Sequence, residues 1–489
     1  MDRFAVIWTL ATGAPMKLAD MVLTSSELRI TKTAEALARK VPGPSMIHDR
    51  VGAPVLRYHR DQYRHLPPQL EALLPPAHRD NPQRVLLTRL LARKVETRGL
   101  PVLEQEWEML LVAGRGGVGH LDVFGSDAEA ARYYNLPMRG ELSLEESSAY
   151  WGNFKKFADN LVSDERELDE LLDTLGPAPG VPGFNPKLLA NIPLSNDGQW
   201  NGTVSPAHGV PVIVKVDTPK YPGLIPLEAL CYDLHRRAGL AVPRTWHREI
   251  TFDGERFPVL AVERFDRFDA RTSIPVESVF SILRTGAPSK FYTNTDGTME
   301  DVWKAVAFLS TDAMKDREAL FSRFVLSFLT GNGDLHLENW AVLGGDGEAH
   351  LSPVFDPAPM RAYRGMNANH DLLSTLPFTG IGGAGDDGLP YARSGDTPQD
   401  LCERLIRFGA GVGMSAAHCR ARIAELLDIT RDYSAAALDL LNAVPESRRR
   451  LRLPDINGFR ATLAATRQAI EAISAARPRR NYSHHALES

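Results

Sequence analysis

The residues best able to do chemistry lie in one stretch, GNGDLHLENWAVLGGDGEAHLSPVFD, residues 331–356. It presents Asp334 in a glycine-flanked loop, Asn339 at the start of the apolar run NWAVL, and Asp356 at the end of HLSPVFD. Glycines between the two apolar runs predict a β-hairpin that returns Asp356 to the side of Asn339. Such an arrangement suits phosphoryl transfer. Hard divalent cations such as Mg²⁺ take oxygen ligands, so Asn339 and Asp356 would complete a coordination shell with phosphate oxygens and water. Asp334 is then placed to orient an attacking hydroxyl while the metal neutralises phosphate charge. His336, in the same loop, reads either as an imidazole bracing it or as an acid or base.

Asp and Asn beside glycines are common turn formers, and alone they would mean little. The strand–turn–strand frame and the apolar setting of Asp356 in VFD make the pattern specific. Asp-x-x-x-x-Asn followed by an Asp on a neighbouring strand is the spacing that protein kinases use. Such an enzyme needs a nucleotide-binding half upstream. Lys215 sits inside the apolar strand VIVKV, where an ammonium is costly unless it meets a counter-charge or a phosphate. Glu228 begins the next helix and is placed to pair with it.

The elements that must position these groups follow from local pattern. PVIVKV at 211–216 reads as a strand, and LEALCYDLHRRA at 227–238 as a helix closed by Gly239. Residues 249–252 and 257–263 read as a hairpin about Asp253-Gly254. The N-terminal FAVIWTL reads as an opening β-strand rather than a signal segment, and residues 82–94 as an amphipathic helix. LGPAPGVPGFNP at 175–186 holds four prolines and three glycines, the composition of a loop or linker. From Asp301 onward the pattern is mostly helical. It is interrupted by the hairpin near 340–355 and by a glycine-rich loop at 379–388. Gly114-Arg115-Gly116-Gly117-Val118-Gly119 fits G-x-G-x-x-G, but no helix opens after it, which excludes a dinucleotide-binding turn. The apolar runs EMLLVA and HLDVF on either side predict a plain β-hairpin there.

Composition narrows the field from another direction. The 489 residues carry 56 Lys+Arg against 61 Asp+Glu, a net charge of −5, which excludes a basic nucleic-acid coat or a polycationic membrane arm. Three cysteines, Cys231, Cys402 and Cys419, are too few for a disulfide framework and fit a reduced cytoplasmic setting. No apolar run approaches the roughly 18 to 20 residues that span a bilayer.

At these residues the chain resembles the HipA-type serine/threonine kinases, the toxin half of bacterial toxin–antitoxin pairs. LEALCYDLHRRAGLAVP, LAVERFDR, the 331–343 loop and LSPVFD are similar to successive blocks of that family's kinase core. EWEMLLVAGRGGVGHLDVF is similar to the small β-rich domain before it. The resemblance implies an α+β, two-lobed protein-kinase-like fold with a β-rich N-lobe and a helical C-lobe, preceded by a small mixed β domain. The expected division is 1–165 for the N-terminal domain, 166–268 for the N-lobe, 269–476 for the C-lobe and 477–489 for a disordered tail. ATP and Mg²⁺ are the implied cofactors, with Asp334 as catalytic base and Asn339 and Asp356 as metal ligands. Lys215 would contact the phosphates. Backbone groups of Glu263 and Phe265 would hold adenine at the hinge. A phosphate loop would fall on residues 180–187, where Gly183 lets the backbone approach phosphate and Lys187 leads into the next strand.

The implied activity is growth arrest by phosphorylation of a translation component such as an aminoacyl-tRNA synthetase. The implied partner is a small helix-turn-helix antitoxin, through which DNA would mainly be contacted. Two other readings share the same residues: a small-molecule phosphotransferase of aminoglycoside-kinase type, and a nucleotide-binding pseudokinase acting as corepressor. The sequence also departs from the family. Gly180 and Pro182 stand where relatives carry an autophosphorylated loop serine, and Glu338 stands where a basic residue is common.

Overall fold

The computed structural model describes residues 2–75, 81–94, 99–135, 142–159, 186–205, 208–269, 272–286, 295–345, 347–363, 376–378, 401–445 and 454–474. The N-terminal part is built on five antiparallel strands: β1 (Arg3–Thr9), β2 (Met16–Leu23), β3 (Glu27–Lys32), β4 (Val55–His59) and β5 (Leu121–Phe124), in the order β4-β3-β2-β1-β5. Alternation sets the register. Ala5 lies opposite Met21 and Met21 opposite Ile30, so all three fall on the buried face, whereas Phe4 points to solvent. Helices α1 (Pro82–Lys94) and α2 (Val102–Ala113) close that face with Leu87, Leu91, Leu103, Trp107 and Leu110.

One expectation fails here. EMLLVA is the end of α2, not a strand, so Gly114 to Gly119 join a helix to β5 rather than forming a hairpin. Leu103, Glu106, Trp107, Leu110 and Ala113 are buried at spacings of three and four, the helical period, but the short apolar run at their end fits either period.

Helix α3 (Leu144–Ala158) opens with a capping box between Ser143 and Glu146. It lays Tyr150, Trp151, Phe154 and Phe157 on a second sheet. That sheet comprises β6 (Lys187–Ile192), β7 (Val210–Val216), β8 (Thr245–Phe252) and β9 (Glu255–Glu263) in the order β6-β7-β9-β8. Helix α4 (Leu224–Arg237) crosses from β7 to β8 and ends at Gly239. The β8–β9 hairpin turns on Asp253 and Gly254, at φ 50° and 76°, the positive pair that a two-residue turn requires.

The remaining chain is helical around a small sheet. Strand β10 (Val276–Ser278) leads into α5 (Val279–Gly286), followed by α6 (Met299–Leu309) and α7 (Ala313–Thr330). The expected hairpin is present as β11 (Ala341–Leu343) and β12 (His350–Leu351), with β11 paired to β10. Helices α8 (Leu401–Gly411), α9 (Ala416–Ile429), α10 (Tyr433–Asn442) and α11 (Ile456–Ser474) complete the lobe. Its core packs Phe321, Phe324, Phe328, Phe378 and Phe408 against Ile423 and Leu426. Cys231, Cys402 and Cys419 are free and buried. Among the described residues no helix is long and apolar enough to cross a membrane.

The five-stranded part meets the helical part through a buried carboxylate. Glu277 on β10 accepts the Met46 N–H at 2.8 Å and the Ser281 hydroxyl at 2.7 Å, while Arg284 on α5 meets Glu71 at 2.5 Å. Burial, with a smaller push from Asp49, drives the Glu277 carboxyl up from 4.5 to about 7 against those hydrogen bonds. The folded chain therefore holds a proton that the unfolded chain has lost. Stability from this group is fullest below pH 4.5 and declines as pH rises to about 7. Glu277→Gln should flatten that decline and raise stability at pH 8 by about 2–3 kcal/mol, read from urea denaturation at pH 5 and pH 8.

Candidate active site

Lys215 lies on β7 between two neighbours in register, Lys187 on β6 and Leu260 on β9. Val212, Val214 and Val216 point into the core beneath α3, so alternation turns Lys215 to the opposite face, toward α4 and the cleft. Its ammonium is buried and donates to the carboxylates of Glu228 and Asp356. Lys187, equally buried, donates to the other oxygen of Asp356. Burial alone would strip the Lys215 proton, but Asp356 and Glu228 outweigh it and hold the ammonium firmly charged. The same balance holds Asp356 well below the usual carboxylate range: Lys187 and Lys215 overcome its desolvation.

The loop that carries Asp334 and Asn339 hangs from the end of α7. Gly331 caps that helix at φ 69°, and a side chain there would collide with Phe459. The loop is then tied by short-range bonds. Asp334 N–H donates to the Asn332 side chain at 2.9 Å, Asn339 N–H donates to His336 O at 2.9 Å, and the Asn339 amide reaches back to Asp334 O. With its NH₂ so used, the Asn339 side-chain oxygen remains the acceptor it can offer a cation. Burial and the nearby Asp356 push the Asp334 carboxyl up to about 7, although Lys187 and Lys215 pull it down. His336 stands 3.7 Å from Asp334, beyond hydrogen-bond range, and burial lowers its pKa so that the ring is neutral.

Two residues absent from the sequence reading assemble the site. Arg323, buried on α7, donates to Asn339 O at 2.6 Å and Phe355 O at 3.3 Å, and its guanidinium lies over Trp340 and Phe355. It thereby clamps the segments before β11 and after β12 that carry Asn339 and Asp356; Asn339 itself closes a short 3-10 turn rather than opening the strand. Tyr232 on α4 accepts the Asp356 N–H at 3.1 Å, holding Asp356 at φ 48°, a left-handed conformation unfavourable for a side-chain-bearing residue. The only advance signal was two polar groups among apolar helix positions.

Lys187, Lys215, Glu228, Asp334, His336, Asn339 and Asp356 are thus gathered in one cleft. The hinge residues differ from them. The Glu263 side chain turns away to Arg244 at 2.6 Å, and its N–H is bonded to Arg244 O at 2.9 Å. Phe265 packs its ring on Phe355, and its backbone N–H has no hydrogen-bond partner among the described residues. Gly183 lies outside the described residues. Among the described residues no cluster of three His, Cys, Asp or Glu side chains forms a metal site. The available donors are one amide and one carboxylate, the hard oxygens that suit Mg²⁺ once phosphate and water complete the shell.

Comparison with known proteins bears on the family and the fold. A protein of Sinorhizobium fredii named "Putative kinase Y4dM" is 26% identical over 211 residues, which cover 41% of this chain and 46% of that protein, under half of its length. The fold matches that of HipA from Shewanella oneidensis, solved with HipB and operator DNA, at a TM-score of 0.62 and 15% identity, over 96% of this chain and 100% of the other. The two-lobed, kinase-like α+β architecture with its additional N-terminal domain is therefore that of HipA. Residues 180–431, just over half of the chain, match the HipA-like C-terminal domain, and the chain belongs to that family.

Proposed function

We propose that this chain is an ATP- and Mg²⁺-dependent serine/threonine protein kinase that arrests growth as the toxin of a toxin–antitoxin pair. The observation that carries the reading is the convergence of the Lys215–Glu228 pair with Asp334, Asn339 and Asp356 in one buried cleft. Asn339 and Asp356 would hold Mg²⁺, whose charge would offset that of the transferred phosphoryl group. Lys187 and Lys215 present ammonium groups where phosphates would be met, and Glu228 fixes the direction of Lys215. Asp334, raised to about 7, is poised to take the proton of an attacking hydroxyl at neutral pH. The phosphate role of residues 180–187 and the adenine role of the Glu263 and Phe265 backbone belong to the same proposal.

The family resemblance supports a translation component, such as an aminoacyl-tRNA synthetase, as the protein substrate. A helix-turn-helix antitoxin is the proposed partner, in line with the HipA–HipB–DNA assembly of the Shewanella relative. DNA would then be met mainly through that partner, which suits the net charge of −5.

Incubation with labelled ATP, Mg²⁺ and a cell extract tests the class of enzyme. Label on a protein band is expected. Label on a small molecule would instead favour an aminoglycoside-kinase-type transferase, and no label a pseudokinase corepressor. Chelation by EDTA should abolish transfer. Asp334→Asn and Asp356→Asn should each lower the transfer rate by about 10²–10⁴-fold and relieve toxicity on expression. Lys215→Ala should additionally destabilise the fold by about 3–5 kcal/mol in chemical denaturation, because it leaves Glu228 buried without its cation and Asp356 with Lys187 alone.

A further inference from the structure

The glycine turn at 114–119 has no part in the chemistry described above, yet its main chain is bound to Arg264 within the hinge and to Asp266 and Arg267 just after it. Arg264 donates to Gly116 O at 3.3 Å and Gly117 O at 2.5 Å. Arg267 donates to Gly117 O at 2.9 Å and Gly119 O at 2.6 Å. In return the Gly119 N–H donates to Asp266 at 2.8 Å. Asp266 also bridges the two guanidinium groups, at 2.7 Å to Arg264 and 2.8 Å to Arg267. These side chains retain only 6%, 3% and 13% of their surface for Arg264, Asp266 and Arg267 respectively. The guanidinium groups share one carboxylate between them, and the carbonyl oxygens of the turn take their remaining donors. Asp122 backs the turn by accepting the Gly116 N–H at 2.6 Å.

Side-chain contacts sort the hinge into two sides. Arg264 and Asp266 face the turn, while Glu263 and Phe265 face Arg244 and Phe355 on the other. The turn itself is stiff. Its base is closed by Val123 N–H on Gly114 O at 2.7 Å, and β5 continues the sheet beside β1. Pulling the hinge away would take from the two guanidinium groups the carbonyl oxygens of Gly116, Gly117 and Gly119, and from Asp266 the Gly119 N–H, leaving buried polar groups unsatisfied.

We propose that the 114–119 turn, through Arg264 and Asp266, is a positioning element for the nucleotide base: it holds the backbone of Glu263 and Phe265 in the conformation that accepts adenine. This rests on the kinase reading above. Preorganising a hydrogen-bonding edge lowers the ordering cost of binding, so the effect falls on the base and spares the phosphates, which Lys187 and Lys215 meet elsewhere.

Calorimetric titration of the full chain with MgATP and with magnesium tripolyphosphate separates the two. Gly116→Val perturbs the turn without touching the hinge, because Gly116 sits at φ 68° and an added Cβ would stand 3.0 Å from the Tyr133 hydroxyl. Arg264→Ala removes the contact from the hinge side, and Arg264→Lys keeps its charge and stem. In Gly116→Val and Arg264→Ala the Kd for MgATP should rise on the order of tenfold, with Arg264→Lys between them and wild type. The Kd for tripolyphosphate should stay within about twofold. Should Gly116→Val fail to fold, the Ala and Lys variants at 264 carry the test. Equal weakening of both ligands, or unchanged MgATP binding in folded variants, would overturn the inference. So would a wild-type chain that binds MgATP no more tightly than tripolyphosphate. A wild-type chain that binds neither overturns the kinase reading itself.

Discussion

The buried ammonium of Lys215 is the interaction on which the rest depends. Its two carboxylate partners come from α4 and from the segment after β12, so a single charge ties the small-lobe sheet, its helix and the helical lobe together. Taking such ions out of water is expensive, and the pairing offsets the cost only because every member is held by further bonds. Lys187 takes the second oxygen of Asp356, and Tyr232 takes its backbone N–H. An apolar cluster of equal volume would stabilise the fold as well or better. A group of ions at this depth is therefore a candidate for function rather than for stability.

Buried arginines recur with a different solution. Arg323 forms no ion pair among the described residues; its Nη2 donates to two carbonyl oxygens and its face lies on two aromatic rings. Arg264 and Arg267 share one Asp and otherwise rely on the carbonyls of a glycine turn. In both places a guanidinium fork joins backbone segments that are distant in sequence, which suits its planar array of donors. Carbonyl oxygens are a convenient counterpart because they add partial negative charge without a second ion to desolvate.

Much of the site was legible because its information is local. Asp334, Asn339 and Asp356 flank one short hairpin, and its glycines mark the turn. Lys215 stood out as a charge in an apolar strand. Arg323 did not, because on a long helix a lone arginine looks like any solvated position until the packing of α7 is known. The end of α2 was misread for the opposite reason: a short apolar run fits both periods, and only Trp107 and Leu110 packing on the first sheet decide it. The glycine turn was recognised as no nucleotide fingerprint, but its partners, Arg264 to Arg267, lie about 150 residues on, and no local pattern links them.

The two acidic groups of the cleft show how position assigns role. Asp356 sits between two ammonium groups and is held ionised; Asp334 is buried, feels the charge of Asp356, and is raised to about 7. Neighbouring carboxyls in one cleft are thus driven apart in proton affinity, the separation that lets one serve as a permanent anion and the other exchange protons near neutrality. The cause lies in strand register. Lys187 and Lys215 are cross-strand partners on β6 and β7, so both ammonium groups emerge at the same level and both find Asp356. A one-residue slip of β6 would turn Lys187 to the other face, remove half of the charge that holds Asp356 ionised, and erase the distinction.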